Sequence, residues 1–186
     1  VTLYAGITWA CETVPGLVVG VELCEDLWAA EPPSVALVRA GATLILNLSA
    51  SDEVAGKAAY RRDLVTGQSA RLLCGYVYAD AGEGESTTDL VFAGHNMVAE
   101  NGVLLAERRF AAGLTVSEID VGRLLYERRR MTTFTPPPRD PMAEAHCLCV
   151  GRSPFTLEQA ETQLTRPVSP APFVPAEAGD RRERCE

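Results

Sequence analysis

Three short apolar runs set the pattern of the first half of the chain. Residues 17–24 (LVVGVELC), 42–48 (ATLILNL) and 72–81 (LLCGYVYADA) are nearly continuous in hydrophobic side chains, and each stops at small or polar residues. Runs of this length without alternation are what strands show when both faces of their sheet are covered. The segments between them read as helices. Pro32 and Pro33 open SVALVRAGA, because proline suits the first turn of a helix and Gly41 suits its end. Residues 55–72 are rich in helix formers, with Arg61, Arg62 and Asp63 expected on the outer face. Strand, helix, strand, helix, strand predicts a parallel or mixed sheet with crossover helices, an α/β fold.

The pattern then changes. Two alternating runs flank Glu100-Asn101-Gly102, and Asn-Gly is the strongest short hairpin signal. Residues 117–131 (SEIDVGRLLYERRRM) predict a helix with Ser117 as N-cap, acids in the first turn and arginines in the last. Beyond Phe134 most of the 12 prolines gather in TPPPRDP and RPVSPAPFVPAEAGD. That composition predicts a Pro-rich irregular arm over 135–186, after a domain that ends at 134.

Composition narrows the class. With 186 residues, 47% hydrophobic and 23% charged, the chain can bury one sizeable core. A net charge of −8 argues against nucleic acid and anionic membrane as partners. The basic run 128–130 reads as a solvated helix end. No apolar window is long enough to span a bilayer and no secretory signal pattern opens the sequence, so a cytoplasmic location is expected. The six cysteines are irregularly spaced, which favours reduced thiols. Cys147 and Cys149, with His146, lack the second ligand pair of a zinc site, so no metal is expected.

Loops at the carboxyl ends of parallel strands converge over a crevice. Here those loops are CEDLW, NLSASDEVAGK and ADAGEGESTTD. A cysteine in one and a serine with a lysine in the next supply a nucleophile and polar anchors for a small substrate. Glu25 and Asp26 directly follow Cys24, and negative charge disfavours the reactive thiolate. Either Cys24 is inert or its activating groups lie elsewhere. His95 reads as a satisfied polar residue, and Trp28, Tyr76 and Tyr78 as packing groups. AGEGEST is too acidic to cradle a phosphate.

The runs GVELCEDLW, LNLSAS, GKAAYRRDLV, SARLLCGYVYADAGEGESTTDLVFAGHNMVAENG and RRRMTTF, in that order, resemble the glutaminase domain of glutamine-dependent NAD synthetases. That domain is a member of the nitrilase (carbon–nitrogen hydrolase) superfamily, and the likeness covers 16–134. It implies an α-β-β-α sandwich, of which 1–134 would be a part, with 135–186 as the arm leading to a synthetase domain absent from these residues. It also implies a Glu-Lys-Cys triad with Cys24 as the catalytic nucleophile. The sulfur attacks the side-chain carboxamide of glutamine, ammonia leaves, and water resolves the thioester.

By the same likeness Glu25 would meet the ammonium group of glutamine and Ser51 its amino-acid end. Lys57 stands where the family usually has arginine, facing the α-carboxylate. The backbone N–H after Cys24 would join the oxyanion hole. The complete enzyme would spend that ammonia on deamido-NAD, with ATP and Mg2+ bound in the synthetase domain, and would assemble as a homo-oligomer. No cofactor is expected in this chain itself. The triad Glu and Lys of the family lie upstream of the cysteine strand, whereas Lys57 is the only lysine here. With Val1 in place of methionine, this predicts a fragment that is inactive alone. The alternatives are a non-catalytic nitrilase-fold interaction module and a stand-alone amidase of another substrate.

Overall fold

The computed structural model describes residues 6–134, 151–158 and 163–168. Its regular elements are β1 (Ile7–Cys11), β2 (Val18–Leu23), α1 (Pro33–Arg39), β3 (Leu44–Ser49), α2 (Lys57–Leu72), β4 (Gly75–Asp80), β5 (Asn96–Glu100), β6 (Val103–Arg108), α3 (Val121–Arg130) and β7 (Gly151–Phe155). The strands form one sheet in the order β6-β5-β4-β3-β2-β1-β7. The three apolar runs are the parallel centre, β2-β3-β4, with Val19 opposite Leu44 and Leu44 opposite Gly75. The Asn-Gly hairpin forms as the pattern predicts. Asn101 (φ 47°) and Gly102 (φ 84°) are both left-handed, as a two-residue turn of this hand requires.

Both crossover helices pack on one face of the sheet. Gly20 permits this at α1, because a Cβ there would sit 3.1 Å from Leu37 and Ile45. Leu37, Ile45, Val65, Tyr76 and Met97 are buried in that layer. The alternate side chains, Val19, Val21, Leu46 and Val77, point to the other face and are half-buried. At its carboxyl end Leu23 and Leu48 stand 58% and 56% exposed. A sheet with helices on one face and an apolar second face is one α-β layer of the α-β-β-α sandwich that the resemblance implies.

Several sequence expectations need correction. Arg61 does not face outward; its side chain is fully buried against the 51–53 loop. Ser117 is not a cap. The α3 helix starts at Val121, with the Asp120 carboxylate accepting the Arg123 N–H at 2.9 Å. Glu118 turns instead to residues 163–168, accepting the N–H groups of Thr165 at 2.7 Å and Arg166 at 2.9 Å. Arg128 is not solvated either. It donates to the carbonyls of Leu73 (2.9 Å), Ala42 (2.8 Å) and Leu72 (3.2 Å), with the Phe134 ring 4.9 Å from its guanidinium carbon. The last carbonyls of a helix lack intrahelical donors, and Arg128 supplies them to α2.

Two strands were not anticipated. β1 lies antiparallel to β2, and β7 lies parallel to β1 with Ile7 opposite Gly151 and Cys11 opposite Phe155. A piece of chain from beyond 134 is therefore part of the sheet. Its Pro154 fits an edge strand, which has one side free of ladder bonds. The proline-rich stretches at 135–150 and 169–186, with His146, Cys147, Cys149 and Cys185, lie outside the described residues.

The hairpin is tied to α2 by charge. Glu107 on β6 accepts from Arg62 Nε (3.0 Å) and Nη2 (2.7 Å) and from His95 Nε2 (2.7 Å). Partial burial pushes the Glu107 carboxyl up, but the bonds from Arg62 and His95 outweigh this and hold it below its ordinary value of 4.5. Stabilisation by a carboxyl lowered in the folded state is present above the ordinary value and lost as pH falls through the lowered one. Glu107→Gln should remove that contribution, so on acidification below pH ~4.5 the melting temperature of the wild type should fall more steeply than that of the variant. Parallel melting curves would contradict this. Separately, Arg128→Ala should cost about 2–4 kcal/mol in urea unfolding, because the two carbonyls at the end of α2 and that of Ala42 lose a charged donor; an unchanged midpoint would show that the cap contributes nothing.

Candidate active site

The backbone of Cys24 has φ 45°, in the left-handed region that a residue with a Cβ enters at a cost of order 1 kcal/mol. Two side chains hold it there. The Asp26 carboxylate accepts the Leu23 N–H at 2.7 Å, and Asn47 Nδ2 donates to the Cys24 carbonyl at 3.4 Å. The single 3-10 turn Cys24–Trp28 then carries the thiol off the end of β2, where it is partly exposed. The two acids after the cysteine therefore differ. Asp26 is a structural acceptor, and Glu25 is exposed beside the thiol.

A buried polar network lies beneath this turn. Tyr76 donates its hydroxyl to Glu22 Oε1, and the Ser34 N–H donates to Glu22 Oε2 at 2.8 Å. Asn47 Nδ2 reaches the Tyr76 oxygen at 3.2 Å, and the Ser49 hydroxyl donates to Asn47 Oδ1 at 2.7 Å. Gln68 on α2 closes the chain by donating to the Ser34 hydroxyl at 2.8 Å. Burial, then the neighbouring Glu22 charge, push the Tyr76 phenol well above its ordinary pKa, which keeps it a donor. Tyr76 is thus more than the packing group expected. Trp28 and Tyr78 do pack, with ring centroids 6.4 Å apart at 60°.

The ends of β3 and β4 supply the other wall. The Ser51 N–H donates to Asp80 Oδ1 at 2.8 Å, which joins the two strand ends. Burial raises the Asp80 carboxyl, against the opposing pull of that N–H and of Arg61. The Ser51 hydroxyl accepts from Arg61 Nη2 at 3.0 Å. The N-cap position of α2 is Gly56. Lys57 is the first residue of α2 and forms an ion pair with Asp52, which holds the Asp52 carboxyl below the usual range.

A cleft of about 350 Å³ is lined by Cys24, Glu25, Trp28, Ala50, Ser51, Asp52 and Lys57. The structure therefore brings together all four residues singled out from the sequence. It adds Asp52 to them, and beneath them Glu22, Asn47 and Arg61, which sequence reasoning missed. Glu22 and Asn47 had left a signal, being polar residues inside otherwise apolar strand runs. A larger cavity of about 1060 Å³ lies at the opposite ends of the strands, between Leu17, Leu44, Ile119 and Leu164, and no cysteine lines it. Among the described residues no cluster of His, Cys, Asp and Glu could hold a metal ion, and no helix is long and apolar enough to cross a membrane.

No family model matches the chain. It is 42% identical over 184 residues to the glutamine-dependent NAD(+) synthetases of Mycobacterium tuberculosis and Mycobacterium bovis, and 43% identical to that of Mycobacterium leprae. These alignments cover 96% of this chain and 27% of each relative, so the chain spans about a quarter of their length. Among solved structures, a carbon-nitrogen hydrolase from Helicobacter pylori superposes with a TM-score of 0.55 at 17% identity, over 69% of this chain and 48% of that one. Saccharomyces cerevisiae Nit3, of branch 10 of the nitrilase superfamily, gives 0.54 at 19%, over 63% and 43%. By sequence this chain is a relative of the glutamine-dependent NAD(+) synthetases, and its fold is that of the nitrilase, or carbon–nitrogen hydrolase, superfamily.

Proposed function

We propose that the cleft at Cys24 hydrolyses the side-chain amide of glutamine through a cysteinyl thioester. One observation carries this reading: a partly exposed thiol on a left-handed turn shares a small cleft with an acid, a hydroxyl and an ammonium group, Glu25, Ser51 and Lys57. Free glutamine carries one ammonium and one carboxylate at a set separation, and Glu25 and Lys57 match them in sign. The Cys24 sulfur attacks the amide carbon, the C–N bond breaks, and the thiol proton leaves on ammonia. Water then cleaves the thioester to glutamate and restores the thiol. The Glu25 N–H lies in the first turn of a helix, where N–H groups lack intrahelical acceptors, and it serves as one oxyanion donor.

In this reading residues 1–134 are part of a glutaminase domain and 135–186 lead towards a synthetase domain. There ATP and Mg2+ drive the amidation of deamido-NAD to NAD with the released ammonia, in a cytoplasmic homo-oligomer. The similarity to glutamine-dependent NAD(+) synthetases supports this assignment. Lys57 is already paired with Asp52 and does not act as the base. The activating glutamate and lysine come from outside these 186 residues.

That pairing also favours one competing reading, a non-catalytic interaction module, and a single assay separates the two. The natural polypeptide that carries these residues should release ammonia from glutamine, and Cys24→Ala should lower kcat by roughly 10⁴-fold or more. Release undiminished in the variant would remove Cys24 from the chemistry. A folded wild type that releases none would favour the module.

A further inference from the structure

Arg61 is the largest fully buried side chain among the described residues and carries a full charge. A guanidinium removed from water persists only where acceptors surround it. Nη1 donates to Glu53 Oε2 at 3.1 Å and to His95 Nδ1 at 2.9 Å, while Nη2 donates to Ser51 Oγ at 3.0 Å and to the Asp52 carbonyl at 3.2 Å. Three of these four acceptors belong to the 51–53 loop. That loop is also held by the Glu53 N–H on the Val91 carbonyl at 2.7 Å, and by Arg109 on the Glu53 carboxylate at 3.4 Å.

A guanidinium has no acceptor atom, which assigns the protons around it. His95 Nδ1 must present a lone pair, so the ring proton sits on Nε2 and is donated to Glu107. Ser51 Oγ uses a lone pair on Arg61 and keeps its own hydroxyl proton to give elsewhere. Arg61 itself does not line the cleft, whereas Ser51 and Asp52 do. It lies one helical turn from Lys57, on the same face of α2, so the two cations grip the loop side by side. Lys57 takes the Asp52 carboxylate and Arg61 the Asp52 carbonyl.

We propose that Arg61 is a positioning residue for the amino-acid end of the substrate, acting through Ser51 and Asp52 without touching the substrate. The proposal rests on the glutaminase reading and deepens it. With its oxygen occupied by Arg61, Ser51 is a donor, so it recognises the α-carboxylate together with Lys57 and leaves the ammonium group to Glu25.

The test uses the natural polypeptide with Arg61→Lys, Ser51→Ala and the double variant. Glutamine KM and kcat are measured, with the rate at which iodoacetamide alkylates Cys24. Each single variant should raise KM roughly tenfold with kcat nearly unchanged, the signature of lost uniform binding. The double variant should be no worse than the poorer single one, because both remove the same link. Alkylation rates should stay at the wild-type value. Inhibition by 4-aminobutanamide, which lacks the α-carboxylate, should be equal in wild type and Ser51→Ala.

Unchanged KM, additive effects, a parallel loss of kcat and alkylation, or weakened 4-aminobutanamide binding would each overturn the proposal. Should Arg61→Lys fail to fold, Ser51→Ala decides alone, and an unchanged KM defeats the inference. Failure of the underlying reading is distinct, since it shows as an inactive wild type or an active Cys24→Ala.

Discussion

The site depends on holding one cysteine in a backbone conformation it would not choose. Left-handed geometry at Cys24 is what turns the chain from a largely buried strand to a partly exposed thiol within a single residue. The cost is local and the restraint is not. Asn47 reaches across from β3 to the Cys24 carbonyl, Tyr76 and Ser49 orient Asn47, and Glu22 with Ser34 and Gln68 anchor Tyr76 to the helical layer. A carboxylate as buried as Glu22 is costly unless its oxygens find donors, and both oxygens do. The network therefore couples three adjacent strands to the geometry of one turn.

The same principle separates the cysteines. Cys74 is wholly buried, and burial pushes its thiol up to about 12, so at neutral pH it holds its proton and stays inert. Cys11 is also buried, whereas Cys24 alone of the three described thiols opens on a cleft. Access to the cleft, rather than the identity of the residue, distinguishes the candidate nucleophile. Position also explains the two acids that follow it. Asp26 is spent on the backbone, and Glu25 faces the cleft across from Lys57.

Much of the fold was legible because it rests on local rules. The uniform apolar runs, the prolines at 32 and 33 and the Asn-Gly pair each specify an element through short-range chemistry, and β2, β3, β4, α1 and the hairpin follow them. What escaped depends on distant partners. β1 and β7 are short, and β7 pairs with a strand more than 140 residues away. Arg61 and Arg128 look solvent-facing by composition, and only the loop and helix-end carbonyls packed around them make burial favourable. Ser117 offered a good capping residue, but Asp120 lay nearer the end that packing selected. In the cleft, Cys24, Glu25, Ser51 and Lys57 were readable from motif resemblance. The Lys57–Asp52 pair was not, since a lysine's partner depends on how the loop folds back.

The claim that this sulfur forms a covalent bond to substrate is tested most directly by acid-quenching the natural polypeptide during turnover of glutamine and mapping adducts by peptide mass spectrometry. A glutamyl group on the peptide containing Cys24, cleaved by hydroxylamine as a thioester would be, is the predicted result. An active protein whose only adduct lies on another cysteine would contradict the account.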